Sequence, residues 1–406
     1  MVSDWESRGG AAIAASRLAS GLIDRGHHVV RIVGHPDGAD HPWETRPVEL
    51  RGLGVRVARR LPPTTPPGRW LESTGRHRLR RELVDARADV VNLHNLHGMT
   101  SSGWTVRLLE AAAPTPTVWT LHDMWSFTGR CAYSGDCRMF IDGCDASCPT
   151  PNEYPALAPA RISRSWRLRQ QLLTRGQSVT AVAPSRWLQR EASAGAWPSN
   201  RVEHIPYGVP LDRYRQQSSA TLRARLGIDG AMPVLLVSAA DLGDRRKGAD
   251  LLTDALNRIG RPVTVLTMGA GELPAQLPHI TVTPVGVLED DESKALVYSA
   301  ADLLIHPARD DNLPLVVLEA IACGTPVVAF DVGGLSDAVR PTVSGWLVRR
   351  VDPGDLARTL LDAIDDPDRA GLEHTCRRLA EAEYSQQLEA QHYETLFADL
   401  ITARGV

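Results

Sequence analysis

Short apolar runs of four to six residues alternate along this chain with longer segments of helical period. In the first half, runs at 28–33, 89–93, 117–121 and 179–183 predict strands. Segments 10–25, 70–86, 101–112, 154–174 and 186–194 predict helices there. The second half repeats the rhythm, with strands expected at 233–239, 262–268, 280–285, 303–306 and 326–330. Its helices are expected at 248–258, 290–300, 314–323 and 355–365. Apolar strands alternating with helices predict parallel βαβ units. Residues 61–70 are Pro-rich and predict a loop, because Pro removes a donor and fixes φ.

A chain of 406 residues is long enough for two α/β domains. The Pro- and Gly-punctuated segment 205–210 is the expected hinge. The domains are then 1–207 and 208–383, with a terminal helix, 384–406, crossing back onto the first. The fold class that follows is α/β: two Rossmann-like domains with a cleft between them. Only Met1, Val2 and Ser3 precede a polar loop at 4–8 and the Gly9-Gly10 pair. A doubly wound domain opens with a buried strand, so residues 2–5 read as the end of a strand whose beginning is expected upstream.

Net charge of −3 and a pI near 6.5 provide no global field for nucleic acid. No run approaches the ~20 apolar residues of a membrane-spanning helix, and no secretory leader opens the chain. The expected localisation is cytoplasmic, as a monomer or weak dimer. The Arg-rich segment 51–81 allows peripheral contact with an anionic membrane face, but a solvated surface explains it more simply. The 45 basic residues comprise 43 Arg and two Lys, Lys247 and Lys294. An ammonium is a compact point charge that an Arg fork does not copy, so each surviving Lys merits attention.

The segment 311–319 carries the sharpest chemistry. Strand 303–306 leads into a polar loop, and Pro314 suits the first turn of the helix that follows. Asp311 then lies before the helix N-terminus and Glu319 within the helix. The N–H groups of Leu313, Leu315 and Val316, beside Asn312, form an anion-binding end. Two carboxylates flanking such an end match a ligand with hydroxyls at both ends and phosphate between. Helix electrostatics alone can also place such acids. Arg245-Arg246-Lys247-Gly248 follows strand 233–239, where cations can stabilise a diphosphate leaving group; which Arg accompanies Lys247 is open. Gly9-Gly10 at a strand–helix junction permits close approach of a ligand. His122-Asp123 ends strand 117–121 at the sheet edge where open α/β folds bind ligands. His94 and His97 end another strand. Cys131, Cys137, Cys144 and Cys148 crowd one loop; structural zinc and reduced thiols both remain open, with disulfides disfavoured in the cytoplasm.

The run 311–328, ending Ala320-Ile321-Ala322-Cys323-Gly324-Thr325-Pro326-Val327-Val328, resembles the donor-site signature of glycosyltransferase family 4. That family has the GT-B fold and retains anomeric configuration. The resemblance covers nearly the whole chain, strongest at 246–248, 311–328 and 122–148. It implies that Asp311 binds sugar hydroxyls, Glu319 the ribose, and the intervening amides the β-phosphate. Lys247 with an Arg would take the diphosphate, Gly9-Gly10 would face it, and His122 would lie near the transferred sugar. The family's first acid is usually Glu. Asp311 is one methylene shorter, as in the branch resembling colanic-acid transferases, which also has a Cys-rich loop after its His-Asp. The implied activity is metal-independent hexosyl transfer from a nucleotide diphosphate sugar, UDP favoured, to a hydroxyl of a glycan, lipid-linked sugar or specialised metabolite. The alternatives are a nucleotide-sugar-binding protein without turnover, or a sugar-nucleotide epimerase or phosphorylase.

Overall fold

A computed structural model describes residues 1–48, 55, 65–102, 104–113, 115–174, 179–198, 201–228, 232–273 and 279–403. The chain divides into two compact units, Met1–Pro206 with Glu389–Val406, and Tyr207–Leu388.

The first unit is a seven-stranded parallel sheet in the order β3-β2-β1-β4-β5-β6-β7. Its strands are β1 (Val2–Trp5), β2 (Val30–His35), β3 (Glu44–Pro47), β4 (Val91–Leu93), β5 (Thr117–Thr120), β6 (Val179–Ala183) and β7 (Val202–His204). β1 coincides with residues 2–5, read from the sequence as a strand end, so only 6–8 remain of the polar loop. β1 pairs with β2 and β4 in the middle of the sheet. β2 runs two residues later than expected, its ladder with β1 extending to Trp5 opposite His35. Arg31 is fully buried and donates to Ser3 Oγ at 3.0 Å and to Ser16 Oγ at 2.5 Å. β3 was invisible to patterning: it is a polar edge strand ending in Pro47, which an edge tolerates.

Two helix expectations in this unit are corrected. Residues 101–112 do not form one helix. They break into 3₁₀ turns at His97–Ser102 and Val106–Leu108 and a single turn at Leu109–Ala112. Between the two 3₁₀ turns, Trp104 is buried in the core. The Pro-rich segment is not loop to residue 70, for a helix begins at Pro66 and runs to Ala86. Thr65 caps it through Gly68 N, and Pro is tolerated where first-turn N–H groups have no intrahelical partner. Residues 61–64 of that expected loop, and 51–54 and 56–60 of the Arg-rich segment, lie outside the described residues.

Helix Gln386–Thr402 contributes its greater part to the first unit. Tyr393 is buried with Leu18, Val118 and Ile205. Its hydroxyl lies 2.7 Å from Thr120 Oγ1. Glu394 pairs with Arg25 and, at 2.9 Å, with His27.

The second unit is a six-stranded parallel sheet, β10-β9-β8-β11-β12-β13. Its strands are β8 (Val234–Asp241), β9 (Val263–Ala270), β10 (Ile280–Gly286), β11 (Leu303–His306), β12 (Val327–Phe330) and β13 (Gly345–Val348). β8 through Ala239, and all of β11 and β12, are buried and mostly apolar, as strands covered on both faces require. β13 was not expected. It is a four-residue edge strand with only its ends buried. The segment expected to be the hinge pairs with the chain before the last helix: Val209 N donates to Tyr384 O at 2.8 Å, and Gln386 N to Val209 O at 3.0 Å. Among the described residues no helix is long and apolar enough to cross a membrane.

Candidate active site

β8 and β11 are neighbours, so the loops that leave them lie side by side although 64 residues separate them in sequence. The loop after β8 closes in a 3₁₀ turn, Arg245–Lys247, capped by Asp244 Oδ1 on Arg246 N. Lys247 Nζ lies 2.6 Å from Asp311 Oδ2. Arg246 Nη1 donates to Asp310 O at 2.8 Å and approaches Asp311 Oδ1 at 3.4 Å. Arg246 therefore accompanies Lys247 at Asp311. Arg245 offers its carbonyl to Arg309, whose guanidinium forks onto Asp250 at 2.6 Å.

Burial pushes the Asp311 carboxyl upward. Lys247, the His306 hydrogen bond and Arg246 outweigh it and hold the group well below the usual carboxylate range. His306 was missed in the sequence. It ends β11, is buried, and its Nε2 lies 3.1 Å from Asp311 Oδ2. The Asp311 backbone is also held: Gly334 N donates to Asp311 O at 3.2 Å. At Gly333, with φ of 55°, a Cβ would lie 1.8 Å from that oxygen.

Pro314 proves to be the N-cap of helix Leu315–Ala322, not its first residue. The N–H groups of Leu315 and Val316 precede the first intrahelical bonds, as helix geometry dictates. Glu319 is buried and accepts from the Tyr298 hydroxyl at 2.8 Å. Burial, then Glu319, pushes the Tyr298 phenol far up, so it stays a neutral donor. Tyr298 lacked a local signal: its partner lies 21 residues away across helix packing.

Gly248 has a role that the motif alone did not reveal. Its φ is 74°, and a Cβ would lie 1.9 Å from Pro307 O. Gly248→Ala is therefore expected to destabilise the second unit by about 3 kcal/mol, from left-handed strain plus overpacking. Urea unfolding checks this; an unchanged midpoint would contradict the close packing.

In the first unit, Gly9 has φ 88° and N-caps helix Gly10–Asp24, and the space over both glycines is open. His122 ends up buried against His94, Nε2 to Nδ1 at 2.9 Å. Burial lowers the His122 imidazole to about 4 and that of His94 well below its ordinary value, so both rings are neutral at pH 7. His97 instead faces Asp123, Nε2 to Oδ2 at 2.8 Å. Burial pushes the His97 imidazole down, but the Asp123 charge and hydrogen bond reverse that and raise it. His94, His97, His122 and Asp123 line one cavity of about 10 Å³.

All six cysteines are free thiols. Cys131, Cys137, Cys144 and Cys148 share a neighbourhood, and burial pushes the Cys144 thiol up to about 11. They are not among the groups whose ligand atoms lie within 4.8 Å of one another; among the described residues that group is Glu6, Asp37 and His41. Arg169, stacked 4.3 Å over Trp125, donates to Gly129 O at 3.2 Å and braces the Cys loop.

Comparison with known proteins bears on both units. Residues 8–213 match the family model described as Glycosyltransferase Family 4, and 233–366 that described as Glycosyl transferases group 1. D-inositol 3-phosphate glycosyltransferase 1 of Catenulispora acidiphila is 39% identical over 54% of this chain and 55% of its own length. The putative colanic acid biosynthesis glycosyl transferase WcaC of Escherichia coli is 30% identical over 55% of this chain and 53% of its own. The chain thus spans about half the length of the curated relatives it matches. The Anabaena Alr3699/HepE structure in complex with UDP-glucose superposes with a TM-score of 0.66 at 19% identity, covering 98% of each chain. The fold is GT-B.

Proposed function

Because this chain belongs to glycosyltransferase family 4, we propose that it moves a hexosyl group from a nucleotide diphosphate sugar, UDP-sugar favoured, to an acceptor hydroxyl. The observation that carries this reading is the Lys247–Asp311 pair beside the N-terminus of helix Leu315–Ala322. Without donor, the ammonium neutralises the carboxylate. An arriving diphosphate competes for Lys247 and Arg246, and Asp311 is left to accept from sugar hydroxyls while His306 still orients it. The first-turn amides of Leu315 and Val316 suit the β-phosphate. Glu319, aimed by Tyr298, suits the ribose hydroxyls.

The chemistry we propose is front-face substitution. The bond from the anomeric carbon to the diphosphate oxygen breaks, and a bond to the acceptor oxygen forms on the same face. The acceptor's proton passes to the leaving diphosphate, and the cations stabilise its charge. His122, a neutral imidazole, is suited to hydrogen bonding rather than to charge stabilisation. Acceptors in keeping with the relatives are a glycan, a lipid-linked sugar or a small polyol. The helix Pro66–Ala86, with Trp70 half exposed, is the surface that would meet a lipid-bearing acceptor.

Incubating the protein with UDP- and GDP-sugars and following released nucleotide tests the proposal. Release from a UDP-sugar, accelerated by an acceptor, is expected. Donor binding without turnover across a panel of acceptors would replace this reading with that of a binding protein.

A further inference from the structure

Tyr154 is exposed to 68% of its surface, yet its hydroxyl is tied into the interior. His97 Nδ1 lies 2.9 Å from the Tyr154 hydroxyl, and the far side of that imidazole is held by Asp123. Asp123 Oδ1 in turn accepts from Trp125 N at 2.8 Å. The backbone around Tyr154 is clamped as well. Arg130, only 3% exposed, donates to Glu153 O at 2.6 Å, to Pro155 O at 3.1 Å and to Thr150 Oγ1 at 2.9 Å. A buried guanidinium and a buried imidazole–carboxylate pair therefore hold one aromatic ring in solvent. Packing for stability alone would bury that ring, since ordering a side chain costs entropy that only burial or binding offsets.

The surroundings narrow the ligand. The His97–Asp123 pair adjoins His122 in the chain, at the C-terminal edge of the first sheet. Gly98, next to His97, donates its N–H to Asp4 Oδ2 at 2.9 Å. A Cβ at Gly98 would come 2.5 Å from that oxygen and 3.2 Å from Trp5 Nε1, so Asp4 and a second aromatic side chain pack tightly there. Burial of the hydroxyl, with the Asp4 and Asp123 charges, pushes the Tyr154 phenol up to about 12. The phenol is thus neutral, and the two nearby carboxylates disfavour an anionic ligand. An aromatic face is the negative end of a quadrupole and attracts C–H groups. A pyranose or cyclitol ring presents C–H groups on a face and hydroxyls at its rim.

We propose that Tyr154 is an acceptor-binding residue whose ring packs against the C–H face of an uncharged pyranoside or cyclitol. His97 and Arg130 act through it as positioning residues. This inference rests on the transferase reading for the name "acceptor", but the binding it claims is measurable without turnover. The experiment is saturation-transfer NMR on the full chain with methyl glucosides, methyl galactosides, methyl mannosides and myo-inositol as neutral probes, and glucose 6-phosphate as the anionic one. Transfer to ring C–H protons of at least one neutral probe is expected. It should persist in Tyr154→Phe, fall at least fivefold in Tyr154→Leu, and be at least fivefold weaker for glucose 6-phosphate. Thermal melting of each variant separates loss of binding from loss of fold, and Phe against Leu at a folded site isolates the aromatic face. No transfer to any neutral probe, equal transfer in Tyr154→Leu, or preference for glucose 6-phosphate would overturn the inference. Failure of the wild type to release nucleotide, with the NMR result intact, would instead strike only the transferase reading.

Discussion

Lys247→Ala is expected to reduce the rate of nucleotide release from a UDP-sugar about 10²–10³-fold, the loss seen when one group facing a developing oxyanion is removed. The effect belongs in kcat, because charge on the leaving diphosphate grows only as the glycosidic bond breaks. Lys247→Arg is expected to restore little. The Lys247 ammonium reaches Asp311 at 2.6 Å from a turn whose next residue, Gly248, is pressed against Pro307 O. A planar fork needs more room than that turn provides. The fold itself should survive the change, because Asp311 keeps His306 at 3.1 Å and Arg246 at 3.4 Å. Steady-state kinetics with a melting curve for each variant separate the two effects. A kcat within threefold of wild type would remove Lys247 from the chemistry.

Glu319→Ala should be nearly as severe but of a different kind. A buried carboxylate accepting from ribose hydroxyls contributes about 1.5–3 kcal/mol per charge-assisted hydrogen bond, so kcat/KM should fall about 10–100-fold or more. Much of the loss should appear as a raised donor KM. The change also removes the Tyr298 hydroxyl's carboxylate acceptor and leaves it only its bond with Ser238, which costs about 0.5–1.5 kcal/mol of stability. Tyr298→Phe is the companion variant. It keeps the carboxylate and removes one hydrogen bond that aims it, so donor KM should rise while kcat holds. Were Glu319→Ala to bind UDP as tightly as wild type in calorimetry, its assignment to the ribose would be wrong.

The residues behind these two variants differ in how far the sequence could place them. Asp311, Asn312, Pro314 and Glu319 lie in one strand–loop–helix stretch, β11 through helix Leu315–Ala322. Their relative placement follows from local geometry: strand end, Pro-bearing loop, first helical turn. That stretch is legible because no distant contact is needed to place it; the Lys247 contact, 64 residues away in sequence, is set by the pairing of β8 with β11. The buried strands β8, β11 and β12 were legible for the same reason, since continuous apolar runs between turn signals need no partner to be seen.

The short edge strands were not. Glu44–Pro47 is polar and Gly345–Val348 is only four residues long, so neither carries a usable period-2 signal, and each owes its extended form to a neighbour's hydrogen bonds. The strand Val30–His35 was placed two residues early, and the buried Arg31 within it is compensated by contacts the pattern does not show, with Ser3, Ser16, the Trp43 ring and the charges of Glu6 and Asp37. The helix expected at 101–112 failed because burial of Trp104 and its neighbours outweighed a plausible helical period.

From the sequence alone came the two-domain α/β plan, the family resemblance, and the pairing of an acid-bearing helix end with a lysine after an earlier strand. Tertiary structure decided the rest. It chose Arg246 over Arg245, brought Tyr298 to Glu319, turned His122 into a buried neutral partner of His94, and set Tyr154 beside His97. Each of these joins residues whose distance is set by which strands are neighbours and which helices pack. A linear pattern encodes a residue's own preference for burial or turn, but not the identity of the group it will meet.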